Sequence, residues 1–120
     1  TFRQGEFGVS DHLLSYRLVT PVLLFKSENY SRYQELGEAQ QRAERDRLLV
    51  SNLLMALRGL NVNFSDRLYA TFAQLRTRPC HYKNQELLGI SGEFLCNAVL
   101  PDGLGIGHAV SHGFGWIMAI

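Results

Sequence analysis

The chain has 120 residues, of which 46% are hydrophobic and 19% are charged, and its formal net charge is +1. This length suffices for one domain with its own core, and this composition excludes an intrinsically disordered chain. No apolar run reaches the roughly 18 residues that a membrane helix needs, so we predict a cytoplasmic protein with no membrane partner. The net charge alone neither favours nor excludes a nucleic-acid partner.

The predicted elements begin with a strand at residues 14–19. Pro21 lacks a backbone donor and restricts Thr20, so the strand is expected to end there. Ser27 is a good N-cap for a short helix that ends at Gly37.

The strongest helical pattern covers residues 38–58. Its first half consists of strong helix formers and charged residues, and its second half carries Leu49, Leu53 and Leu57 at positions i, i+4 and i+8. Gly59 fits the position just after the last helical turn. The pattern predicts an amphipathic helix whose leucine stripe covers a core.

Four strands are predicted after this helix: residues 66–77, a weaker one at 82–88, then 92–100 and 114–120. The third is apolar on both faces, which is typical of a central strand. The order of elements predicts the α+β class and a ferredoxin-like (RRM-like) domain, with a mainly antiparallel sheet and one helix layer. The second helix of that plan is replaced by a C-terminal glycine-rich loop at residues 101–112.

The two cysteines, Cys80 and Cys96, lie outside any C-x-x-C pair. They are either a structural disulfide or two buried free thiols, and a reducing cytoplasm favours the thiols.

Five of the eleven glycines fall between residues 101 and 117. Two explanations are open. Glycines permit tight turns and close approach of backbones, and they also let consecutive N–H groups point at an anion, which forms a phosphate-binding concavity. The spacing matches neither the dinucleotide fingerprint G-x-G-x-x-G nor the P-loop ending G-K-[ST].

The run Gly-Ile-Gly-His-Ala-Val-Ser-His-Gly-Phe-Gly at residues 105–115 resembles the C-terminal glycine-rich loop of the repeat-associated RNA-binding superfamily of CRISPR antiviral defence systems. The similarity is closer to the C-terminal domain of the CRISPR repeat-processing endoribonucleases. Weaker similarity lies at Thr20-Pro21, at residues 28–30, 49–59 and 92–97, and just before the loop, so that it spans most of residues 14–117.

The resemblance implies two tandem ferredoxin-like domains, of which residues 1–120 correspond to the second. It implies CRISPR repeat RNA as a partner, and an N-terminal ferredoxin-like domain or other CRISPR-associated proteins as further partners. The implied activity is RNA processing by a nuclease (a hydrolase) without metal or cofactor, in which a ribose 2′-hydroxyl attacks the adjacent phosphate. Such a step needs a base, an acid and positive charge near the phosphorus.

The candidate catalytic residues are His108 and His112, because imidazole titrates near neutrality. The candidate RNA contacts are Gly103, Gly105, Gly107, His108, Ser111, His112, Gly113 and Gly115 in the loop, together with Arg76, Arg78 and Lys83 near the preceding hairpin. The histidines could instead be ordinary surface or turn residues, and the basic side chains could equally be solvated strand ends. From the sequence, we expect Gly107→Val or Gly113→Val to weaken RNA binding without unfolding the domain.

Two alternatives to the processing endoribonuclease stay open at this point. One is a non-catalytic subunit that holds guide RNA in a CRISPR effector complex. The other is a structural interaction module in which the glycines serve only to pack strands.

Overall fold

The computed structural model describes residues 9–25, 27–60, 67–82 and 85–120. Its elements are β1 (Val9–Leu23), α1 (Ser27–Gln34), α2 (Glu38–Gly59), β2 (Ala70–Tyr82), β3 (Gln85–Ala98) and β4 (Ile117–Ala119). The strands form one antiparallel sheet in the order β2-β3-β1-β4. This arrangement confirms the predicted α+β, ferredoxin-like class, and neither described helix is long and apolar enough to cross a membrane.

Helix α2 packs its leucine stripe against one face of the sheet. Leu49, Leu53 and Leu57 are completely buried, in the same core cluster as Tyr16 and Phe94 of the strands. Burial of each leucine side chain contributes roughly 2 kcal/mol. The predicted stripe is therefore confirmed, and it fixes which face of the sheet is covered and which stays open.

Two predicted strand ends are wrong, the one at Pro21 and the one at residue 77, shortly before Pro79. β1 continues through Pro21 to Leu23, because the pairing between β1 and β3 shifts register between Leu18 and Val22, and the missing donor falls in that bulge. β2 continues through Pro79, which an edge strand tolerates because one of its sides has no ladder to donate to.

Residues 85–98, from the two strands predicted at 82–88 and 92–100, form the single strand β3, which occupies a central position as predicted for its second half. Tyr82 instead ends β2, and residues 83 and 84 lie outside the described residues. Gly92 has φ of +125°, and its backbone lies so close to the carbonyl group of Gln74 that a side chain at this position would collide with it. The glycine therefore continues the strand across a bulge rather than ending it. The last strand is shorter than predicted, and residue 66 lies outside the described residues.

Cys80 and Cys96 are both buried and unbridged, which confirms the free-thiol alternative. Burial raises the pKa of the Cys96 thiol from its ordinary 9.0 to about 11.

Because only the thiolate is nucleophilic, we expect iodoacetamide at pH 8 to alkylate Cys96 far more slowly in the native chain than in guanidinium. Mass spectrometry of the Cys96 peptide measures the two rates, and equal rates would contradict the buried placement. Between pH 9 and 11 the unfolded thiol ionises before the folded one, so this group's contribution to stability is lost as the pH rises through that window.

Candidate functional site

The C-terminal segment, residues 101–116, starts from a fixed point at the end of β3. The Tyr16 hydroxyl donates to the carbonyl oxygen of Ala98 over 2.9 Å and accepts from the amide of Leu100 over 2.8 Å. Because Tyr16 is a buried residue of β1, this pair of bonds ties the start of the segment to the core.

The segment then folds back along the last residues of β1. The amide of His108 donates to the carbonyl oxygen of Leu23, and the amide of Gly115 donates to that of Pro21, each over 2.8 Å. Trp116 adds a bond from its amide to the Thr20 hydroxyl, over 3.0 Å. The segment is thus bonded to β1 at several points.

These bonds argue, over most of the segment, against the phosphate-binding concavity, which is one of the two explanations that the sequence leaves open. Eight amides between residues 103 and 115 donate to backbone carbonyl groups: Gly103, Leu104, Ile106, His108, His112, Gly113, Phe114 and Gly115. The segment replaces a helix, so its amides need partners in neighbouring backbone instead of along their own helix. Any ligand contact by this segment therefore depends mainly on its side chains.

Close approach of backbones explains two of the glycines. Gly115 has φ of +76°, and a Cβ there would run into the carbonyl group of Ile106. Gly107 has φ of +83°, and a Cβ there would lie 2.7 Å from the carbonyl oxygen of Leu23. The expectation that Gly107→Val leaves the domain folded is therefore wrong on this geometry.

The other glycines of the segment have different surroundings. A Cβ at Gly105 would meet the side chain of Val110, so Gly105 also serves packing. A Cβ at Gly103 or Gly113 would have no other atom within 4 Å. Of the five positions, only these last two leave space for an added side chain.

The candidate side chains of the segment surround a single 3₁₀ turn at Val110–His112. Ser111, His112 and Gly113 are exposed on its outer surface, which we name the loop crest, and His108 is half-buried beside it. Ala109 between them adopts the left-handed conformation with φ of 61°. The structure therefore brings His108, Ser111 and His112 to one turn.

Two of the three predicted basic residues lie on the face of the sheet that α2 leaves open. Arg76 and Arg78 are exposed on β2 and line an open groove of about 520 Å³, which we name the arginine groove. Its opposite wall on β1 contains Arg17 and Val19, and its floor on β3 contains Ser91 and Gly92. Lys83, the third predicted residue, lies outside the described residues.

Arg17 was not among the predicted site residues, although the sequence carries a signal for it. Tyr16 and Leu18 are buried, whereas Arg17 and Val19 between and after them are exposed. Side chains of a strand alternate between faces, so this period of two assigns Arg17 to the open face. Its proximity to Arg76 depends on strand order, which a single strand does not reveal.

Within the described ranges, no three side chains of the His, Cys, Asp or Glu type are grouped so as to hold a metal ion.

Comparison with known proteins identifies relatives along nearly the whole chain. The family model of the Cas6b C-terminal domain matches residues 8–120. An uncharacterized protein of Methanocaldococcus jannaschii, MJ0978, is 32% identical over 115 residues, which cover 96% of this chain and 78% of that protein.

Solved structures give the same result. A crystal structure of Cas6b superposes with a TM-score of 0.88 at 31% identity, and the match covers 96% of this chain and 59% of that one. A structure described as the CRISPR RNA processing endoribonuclease Cas6b also superposes with a TM-score of 0.88, at 29% identity, over 99% of this chain and 66% of that one. Csf5, a type IV Cas6 crRNA endonuclease, matches at 14% identity with a TM-score of 0.64 over 96% of this chain and 46% of that one, and shares the fold. The chain thus spans less than two thirds of either Cas6b structure.

Proposed function

The chain belongs to the Cas6b C-terminal domain family, and from that premise we propose that it is the C-terminal, RNA-binding part of an endoribonuclease that processes CRISPR precursor RNA. The match along residues 8–120 carries the proposal. The preceding part of the complete protein is proposed to be a second ferredoxin-like domain, as the greater length of the Cas6b structures suggests.

Repeat RNA binds at the loop crest and the arginine groove in this proposal. Contacts come from side chains: Ser111 and the two histidines offer hydrogen bonds to phosphate oxygens, and arginine forks match phosphate geometry. The proposed RNA-contacting side chains are those of His108, Ser111, His112, Arg76, Arg78 and Lys83. Gly103, Gly105, Gly107, Gly113 and Gly115, the other candidate residues from the sequence, serve mainly to shape the segment in this proposal.

Cleavage in the complete protein needs no metal in this proposal. A base removes the proton of a ribose 2′-hydroxyl, and that oxygen attacks the adjacent phosphorus. The bond from phosphorus to the 5′-oxygen breaks as an acid protonates the leaving oxygen, which leaves a 2′,3′-cyclic phosphate and a 5′-hydroxyl. His108 and His112 are the candidates of this chain for the two proton transfers. His112 lies on the loop crest and His108 beside it, on a segment bonded to β1.

The test measures binding and cleavage of a labelled CRISPR repeat hairpin, with EDTA present. We expect salt-sensitive binding, weakened about fivefold by His108→Ala or His112→Ala because a phosphate contact is lost. His81→Ala is the matched control, since His81 is exposed on β2 outside the segment, and it should change affinity less than twofold.

Cleavage in EDTA that falls by about a hundredfold or more in either loop variant would support the proton-transfer role. Binding without cleavage would favour the non-catalytic guide-RNA subunit for the chain by itself. Absence of salt-sensitive binding by the unsubstituted chain would overturn the proposal and leave the structural interaction module.

A further inference from the structure

Three cations converge on the arginine groove from two strands that are not neighbours. β3 lies between β1 and β2, so Arg17 on one wall and Arg76 and Arg78 on the other are separated by the small residues of the floor. Two inter-strand spacings amount to about 10 Å. The groove is therefore a trough with cationic walls and a floor that backbone or a flat ligand can approach closely.

The three guanidinium groups have no ion pair or hydrogen bond to any of the residues that the structure describes. Glu93 is in register with Arg17 on the neighbouring strand, but it neither pairs with it nor lines the groove. Like charges gathered on one face of a chain with a net charge of only +1 repel one another, and a bound polyanion relieves that repulsion.

The groove is continuous with the C-terminal segment. Pro21 lines the groove and accepts the hydrogen bond from Gly115, and Val19 of the groove wall donates to the carbonyl oxygen of Trp116 over 2.7 Å. The Trp116 side chain is 37% exposed. It alternates with buried Ile117, which assigns it to the open face, at the end of the groove nearest the segment.

We infer that the arginine groove binds a single-stranded segment of RNA, with phosphates along Arg17, Arg76 and Arg78 and a base stacked on Trp116. The inference rests on the proposed function and specifies the surface and the form of RNA. A trough about 10 Å wide admits one backbone. A duplex, in contrast, presents a wide and shallow minor groove with its bases already paired, so none can stack on Trp116. Stacking and basic tracks together are the usual means of binding single strands.

The charge contribution is tested with two variants that each lose three positive charges. One is the groove variant, Arg17→Gln with Arg76→Gln and Arg78→Gln. The other is the matched control, Arg32→Gln with Arg42→Gln and Arg58→Gln, whose positions are exposed on the helices. The probe is a fluorescein-labelled oligouridylate of about ten nucleotides, followed by fluorescence anisotropy across a salt series.

We expect the groove variant to bind the probe on the order of 50-fold more weakly, because three phosphate contacts are lost. The slope of log affinity against log salt should become shallower by about 2, at roughly 0.7 per phosphate of a single strand. The helix control should change affinity less than threefold. Circular dichroism melting should show that both variants fold, since all six arginines are exposed.

The stacking contribution has an intrinsic probe, because Trp116 is the sole tryptophan of the chain. We expect the oligouridylate to quench its fluorescence, and Trp116→Ala to weaken binding about tenfold, as loss of one base stack does. The groove variant, at the same probe concentration, should show little quenching.

Equal weakening by the groove variant and the helix control would mean that only overall charge matters, and this would overturn the inference. Unchanged binding of the single-stranded probe by the groove variant would also overturn the inference. The same holds if the groove variant binds a fully paired RNA hairpin of the same length more weakly by the same factor as it binds the single-stranded probe. If the groove variant still binds repeat RNA like the unsubstituted chain, the groove assignment fails, and the proposed function stands with RNA bound at the loop crest alone. If the unsubstituted chain binds neither RNA, the proposed function fails first.

Discussion

Replacement of Gly115 by alanine is expected to destabilise the folded chain by about 4 kcal/mol. The residue has φ of +76°, which strains any L-residue, and a Cβ there would collide with the carbonyl group of Ile106. Movement away from that collision would also break the bond from Gly115 to Pro21 and the bond from Ile106 to Gly115, which hold the segment to β1 and to itself. Urea unfolding followed by circular dichroism measures the loss.

Gly113→Ala is the matched control for this prediction. Gly113 has φ of +92°, so alanine is strained there too, but no other atom lies within 4 Å of the added Cβ. We expect a loss of about 1 kcal/mol, from conformational strain alone. Equal losses for the two variants would show that the collision at Gly115 does not exist.

Tyr16→Phe is expected to destabilise the chain by about 3 kcal/mol. The substitution removes one hydroxyl, which leaves the buried amide of Leu100 without a partner and the carbonyl of Ala98 with only the weak thiol donor of Cys96. Burial raises the pKa of Tyr16, so the hydroxyl stays protonated and keeps both bonds throughout the neutral range.

Tyr69→Phe provides the comparison, because Tyr69 is 54% exposed and its hydroxyl is within reach of water. We expect a change within about 0.5 kcal/mol for this variant. A loss at Tyr16 as small as the one at Tyr69 would mean that water or a shifted backbone satisfies the two groups. Chemical denaturation of both variants under the same conditions makes the comparison.

The sequence predicts the helices well, because their signals are local. The stripe of Leu49, Leu53 and Leu57 follows from a period close to 3.6 residues, and all three leucines are buried. Strand ends are predicted less well. A proline ends a strand only where its missing N–H would have faced a partner strand. Whether this is so at Pro21 and Pro79 depends on the strand register and on which strand lies at the edge of the sheet, and neither is visible in the sequence.

The geometry of the candidate site residues follows from the sequence only in part. The sequence singled out the glycine cluster but left its cause open, and the structure shows that Gly105, Gly107 and Gly115 serve close packing. Whether a backbone amide is available to a ligand depends on whether folding brings a carbonyl oxygen beside it. The amide of His108 donates to the carbonyl oxygen of Leu23, which is far away in the sequence. The same limit applies to Arg17. It lines one groove together with Arg76 because both of their strands pair with β3, and the sequence does not reveal this strand order.

The use of so many amides within residues 103–115 has a thermodynamic consequence for anything that docks there. A loop that must become ordered on binding loses conformational entropy at that moment, and this loss weakens the complex. Here the ordering takes place during folding, because eight amides of the segment donate to carbonyl groups of the folded chain. The loop crest is thus preorganised, and its affinity for a ligand should depend on the few groups it displays rather than on an induced fit.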